Sequence, residues 1–199
     1  MTRKSGLSVL FLVAAIAASP AALGSEIAMP RFAEETKAAG IDSAYEGEWE
    51  YMVGGGAAAF DCNADGFDDL FLAGGAAPAK FFVNRSKAGG ELTFAPEASG
   101  LERDKVTGAY PLDIDNDGIM DLVLLRVGEN IAMRGMGDCR FEPANAAWGF
   151  DGGDGWSTAL AATWERGADW PTIAIGNYID RNEEISPWGS CTDNWLHRP

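Results

Sequence analysis

Asp61, Asn63, Asp65 and Asp69 stand at positions 1, 3, 5 and 9 of the stretch DCNADGFDD, with Gly66 at position 6. Asp113, Asp115, Asp117 and Asp121 repeat that spacing, with Gly118 at position 6. In a curled loop alternate side chains face the concave side, and glycine permits the positive φ that turns the chain back around an ion. Oxygen donors without nitrogen or sulfur select a hard cation, and a shell this adaptable suits Ca²⁺ better than Mg²⁺. The backbone carbonyls of Phe67 and Ile119, at position 7 of each loop, would complete two separate calcium sites. Without an ion, carboxylates held this close repel by about a kcal/mol or more per pair, so cation binding is expected to order both loops.

The same spacing opens an EF-hand, but that loop needs a bidentate Glu at position 12 and a helix on each side. Here position 12 is Leu72 in one loop and Leu124 in the other. The residues that follow, DLFLA and DLVLL, are short apolar runs of strand formers, so each loop is predicted to join two strands of a hairpin.

The elements that position the loops recur with them. GAAAFDCNADGFDDLFLAGG from Gly56 lines up with GAYPLDIDNDGIMDLVLLRV from Gly108, an offset of 52 residues. A fainter copy, TALAATWERGADWPTIAIGN from Thr158, keeps the apolar flanks at Leu160, Ala162, Ile173 and Ile175. Thr163, Glu165 and Gly167 replace the acids there, which predicts strands without a metal. The linkers repeat as well, as FAEETKAAGI, FAPEASGL and FEPANAAWGF. Short Val, Ile, Leu and Phe runs between Gly, Asn and Asp turns, such as KFFVNR and ELTF around SKAGG, indicate an all-β fold. A period of this length suggests a propeller blade or a solenoid unit.

DCNADGFDDL and DIDNDGIMDL resemble the FG-GAP or VCBS repeats of integrin α-subunit propellers and of exported bacterial proteins related to cartilage acidic protein. FFVNR and FAPEASGL are similar to further family segments, and the resemblance runs from about Phe32 to Tyr178. It implies Ca²⁺ ligands at Asp61, Asn63, Asp65 and Asp69, and at Asp113, Asp115, Asp117 and Asp121. It also implies a partial β-propeller of about three blades, and the signal and the repeats divide the chain into a signal peptide (1–24), an N-terminal linker or closing segment (25–45), repeat 1 (46–101), repeat 2 (102–150) and a degenerate, truncated repeat 3 (151–199). Propellers of about 4 to 8 blades close on themselves, so this arc is expected to be a truncated member that needs missing blades or an oligomer. The function implied is a structural or adhesion module with a protein or glycan ligand. The alternative is the scaffold of a secreted polysaccharide-acting enzyme whose catalytic residues lie outside the chain.

Arg3 and Lys4, the apolar run Leu7 to Ala18, and the small residues Ala22 and Gly24 read as a secretory signal, with cleavage near Gly24–Ser25. The run is too short to span a bilayer and no later segment spans one, so the mature chain is expected to be secreted, periplasmic or extracellular. Removing those two cations takes the formal charge from −15 to −17, an acidity that repels nucleic acid and anionic membranes.

Cys62, Cys139 and Cys191 leave one thiol over, either buried and free or paired elsewhere; their connectivity is open at this level. His197 is the single histidine, which argues against a Ser-His-Asp site. Gly54–Gly56 lacks the Lys-Ser or Lys-Thr of a phosphate loop, and GWSTA around Ser157 lacks the last glycine of a nucleophile elbow. The seven tryptophans are expected mainly as sheet-packing residues, and Glu34–Glu35 and Glu183–Glu184 as surface.

Overall fold

A computed structural model describes residues 29–183 and 190–199; the expected signal peptide lies outside the described residues. The chain divides into two compact units after Glu34, and every strand among the described residues falls in the Glu35–Pro199 unit. Among the described residues eleven strands form two antiparallel sheets, with one short 3₁₀ turn at Trp49–Tyr51 and one four-residue helix at Asn145–Trp148, so the all-β expectation holds. No helix among the described residues is long and apolar enough to cross a membrane.

The first sheet is a meander of β1 (Ala57–Phe60), β2 (Asp69–Leu72), β3 (Lys80–Asn84) and β4 (Phe94–Pro96). A second meander follows the same pattern with β5 (Val106–Leu112), β6 (Asp121–Gly128), β7 (Ile131–Gly135) and β8 (Phe141–Pro143). A third, of β9 (Gly155–Thr163), β10 (Thr172–Asn177) and β11 (Trp195–His197), joins the second through Val127↔Trp156 and Gly128↔Gly155 of β6 and β9. The faint third copy therefore does form a hairpin of two strands. The run ELTF is shorter as a strand than its composition suggests: pairing begins at Phe94, and Thr93 is held instead by its N–H to Ser86 Oγ. Residues 36–40 form a turn before Ile41, closed by Ala39 N–H to the Glu35 carbonyl.

β6 shows why DLVLLRVG lacks simple polar alternation. Successive strand side chains point to opposite faces, and here both faces are covered. Leu122 and Leu124 join Phe60, Phe71, Phe81, Met133 and Phe141 in one cluster. Val123 and Leu125 face the other way, onto Ile173 and Ile175. Fully burying a side chain of this size contributes about 1.5–3 kcal/mol, so β6 is the strand that ties the layers together.

One buried polar group between the second and third meanders is fully paired. Asn130 is fully buried; its amide nitrogen donates to Ser157 Oγ and the Gly152 carbonyl, and its oxygen accepts the Arg126 N–H. Ser157 in turn donates to Asn177 Oδ1, so the GWSTA serine is scaffold.

The tryptophans meet the packing expectation in part, with Trp148 and Trp195 half-buried against the cluster of Val123 and Ile173. Among those described only Trp156 is buried in the core, whereas Trp49, Trp164 and Trp170 are exposed. Cys62 and Cys139 form a disulfide across 77 residues with Cα atoms 4.8 Å apart, and Cys191 is an exposed free thiol rather than a buried one.

Candidate metal centre

Both acidic stretches lie between the strands of a hairpin, β1–β2 and β5–β6, in matching register: Phe60↔Asp69 closes one pair and Leu112↔Asp121 the other. Their backbones repeat as closely. Ala64 and Asn116, at position 4, each have φ of 58°, and Gly66 and Gly118, at position 6, have φ of 86° and 84°. A Cβ at either glycine would meet nothing within 4 Å, so the requirement for glycine there is conformational and not steric.

Position 1 organises each loop. Asp61 Oδ1 accepts the N–H of Asn63 and Asp65, and Oδ2 accepts that of Gly66 at 2.8 Å. Asp113 does the same toward Asp117 and Gly118. At position 5, Asp65 Oδ1 and Asp117 Oδ1 accept the N–H of the position-7 residues Phe67 and Ile119, each at 2.9 Å. Burial alone would raise the Asp61 carboxyl, but the amides of Gly66, Asp65 and Asn63 outweigh it and hold it below the usual carboxylate range. The Ile119 N–H acts first on Asp117, with Arg134 adding to it, and that group is lowered as well.

Position 9 is a different environment. Asp69 and Asp121 are fully buried. Asp69 accepts the Cys62 N–H at Oδ2 and the Asn84 N–H at Oδ1; Asp121 accepts the Ile114 N–H at Oδ2 and the Gly135 N–H at Oδ1. Each carboxylate thus staples the start of its own loop to the third strand of its own meander. Desolvation dominates at both, raising Asp69 and pushing Asp121 up to about 6. Asp69 Oδ2 also lies 2.7 Å from Cys62 Sγ. A disulfide sulfur has no proton to donate and is no thiolate ligand, so the cluster of Cys62, Asp69 and Cys139 is a buried structural knot and not a metal site.

The two loops differ in what converges. In the second, carboxylate oxygens of Asp113, Asp115 and Asp117 lie within 4.8 Å of one another. Asp115 is only 9% exposed, and its buried Oδ1 has no hydrogen-bond partner. A buried carboxylate oxygen left in that state is costly, and a cation would satisfy it, so this donor set fits a hard metal ion. In the first loop Asn63 replaces the position-3 acid, and its Nδ2 donates to Asp65 Oδ2 at 3.1 Å. That loop satisfies its own oxygens.

One participant lay beyond sequence reasoning. Arg134, on β7, sets Nε 2.9 Å from Asp115 Oδ2 and a terminal nitrogen 3.0 Å from Asp117 Oδ2. The available signal was register: Leu122↔Met133 places residue 134 level with Asp121 at the foot of the loop. The corresponding pairing Leu70↔Phe82 puts Val83 in that place in the first meander.

Strand, loop and register together define a class: an all-β repeat protein whose antiparallel pairs are joined by acidic, glycine-turned loops. Residues 61–124, which contain both loops, match the model of the FG-GAP-like repeat family, and the chain carries an FG-GAP-like repeat. No curated protein matches the chain.

Proposed function

We propose that the chain is an exported calcium-binding module. In this reading Ca²⁺ stiffens two hairpin loops of a β-propeller-type repeat array, and that array presents a surface to a protein or glycan. The observation that carries it is the second loop: three converging carboxylates, one of them buried with an unpartnered oxygen, on a backbone repeated in the first loop. The ligands would be Asp113, Asp115, Asp117, Asp121 and the Ile119 carbonyl, with Asp61, Asn63, Asp65, Asp69 and the Phe67 carbonyl in the first loop. FG-GAP repeats are typical of extracellular proteins and often mediate protein interactions, which supports export and a binding role.

The enzyme-scaffold alternative receives less support. An aromatic-lined pocket of about 300 Å³ includes Trp148, Phe150, Trp170 and His197, but no Asp or Glu lines it. That pocket supplies no acid and base pair of its own, and the alternative places those groups outside the chain.

Calorimetric titration of the purified protein with CaCl₂ tests the reading. Two sites are expected, and a hundredfold excess over Kd should raise Tm by about 5–10 °C for each site filled, about 10–20 °C in all. Asp113→Ala with Asp117→Ala should remove one site and its share of that shift. Absence of binding heat together with an unmoved Tm would refute calcium binding.

A further inference from the structure

We propose that Arg134 is a tethered counter-cation that shares the second loop's metal seat, so that calcium binding there exchanges a guanidinium for the ion. The inference rests on the calcium reading and adds a control to it that the first loop lacks.

The carboxylate oxygens of the second loop differ in what already engages them. Asp117 Oδ1 is committed to the Ile119 N–H, and both Asp113 oxygens take loop amides. The Asp117 oxygen that no loop amide engages is Oδ2, and Arg134 holds that oxygen at 3.0 Å. Its Nε holds the neighbouring Asp115 at 2.9 Å, so one side chain engages the acids of positions 3 and 5 together. Asp115 Oδ1 remains buried and unpartnered, which shows that the guanidinium does not saturate the cluster.

Guanidinium and calcium are both hard-oxygen seekers, yet they do not share one carboxylate oxygen cheaply. The planar fork donates along fixed N–H directions, while the ion needs the same lone pairs and repels a second positive charge. The Arg134 side chain is about half exposed, so it can swing into solvent when the ion enters. Metal-free, it offsets the repulsion among the acids and keeps them gathered.

The first loop is built the other way. Val83, buried in the sheet, stands where Arg134 stands in the second, and Asn63 removes one negative charge at position 3. Less charge needs no resident cation. The two sites should therefore respond differently to loss of the arginine.

Calcium titration of the full chain and of Arg134→Gln, each followed by calorimetry and melting, reads this out. Removing the guanidinium should tighten one of two sites by up to about fivefold, the upper end of an exposed ion pair converted to affinity, and leave the other unchanged. It should also lower the melting temperature in EDTA, so that the calcium-induced shift grows. In the Asp113→Ala/Asp117→Ala background the tightened site should vanish, which assigns it to the second loop. Arg134→Lys, which keeps the charge but loses the fork, should fall between the two proteins. Two sites in the wild type with an unchanged or weaker second site in Arg134→Gln would overturn the exchange and leave the calcium reading standing. No calcium response in either protein would overturn both.

Discussion

The loop from Asp61 to Asp69 and the loop from Asp113 to Asp121 share spacing, strand register and backbone angles, yet they are held by different means. The first is closed from within: Asn63 bridges to Asp65, and Cys62 in its second position is bonded to Cys139 of the next meander. The second carries an additional acid and recruits Arg134 from a neighbouring strand. One backbone design thus accepts two solutions to crowded negative charge, either removing a charge and anchoring the loop covalently or adding a paired arginine. The disulfide is an unequal support, because it grips the first loop at its base and the second meander only at the β7–β8 turn.

Removing that anchor is expected to have the largest effect. In the chain-entropy account a cross-link over this span stabilises by about 4 kcal/mol, so Cys62→Ala with Cys139→Ala should lower the chemical-denaturation stability by about that amount. The comparison adds a regional expectation: hydrogen exchange should rise in the first loop more than in the second. Equal exchange in both loops would mean that the disulfide supports the whole sheet pair and not one loop.

The position-9 staples should rank next, and here the loops ought to agree. An asparagine can accept at one oxygen only and turns its NH₂ toward a backbone donor, so Asp69→Asn and Asp121→Asn should each cost about 2–3 kcal/mol. Costs that differed by more than about 1 kcal/mol would show that the two staples are not equivalent, even though burial and partners match.

Acidity gives the smallest and most discriminating effect. The folded pKa of Asp121, at about 6, lies above its ordinary value of 3.8. Its stabilising contribution is therefore full below pH 3.8 and is lost as pH rises through about 6. Asp69 runs in the same direction. Asp61 and Asp117 are lowered, so their contribution is present above the ordinary value and is lost as pH falls through their folded pKa. In EDTA the protein should thus melt a few degrees higher near pH 5 than near pH 7, by about 2–4 °C per kcal/mol gained, and weaken again below pH 4. Asp121→Asn should flatten the upper limb. A melting temperature that rises steadily from pH 5 to pH 7 in EDTA would contradict the burial argument.

Much of this was legible in the residues. Alternating acids with a glycine at position 6 specify a curled loop wherever they occur, because φ near 85° excludes most side chains and the Asx carboxylates cap nearby amides. The apolar runs DLFL and DLVLL specify strands for a similarly local reason, and even the faint third copy kept enough apolar flank to pair. The reading failed where long-range contact decides. Trp164 and Trp170 are as apolar as Trp156, but only Trp156 is buried in the core between strands.

Sequence by itself therefore determined the hairpins, their acidic turns and the all-β class, since these follow from φ preferences, Asx capping and side-chain period over a dozen residues. Tertiary structure alone decided that Asp69 and Asp121 are buried staples, that Cys62 reaches Cys139, and that Arg134 answers the acids of the second loop. Each of those depends on which strand is folded alongside which. Register across a sheet is set by the sum of many distant apolar contacts, and no local pattern of residues carries that sum.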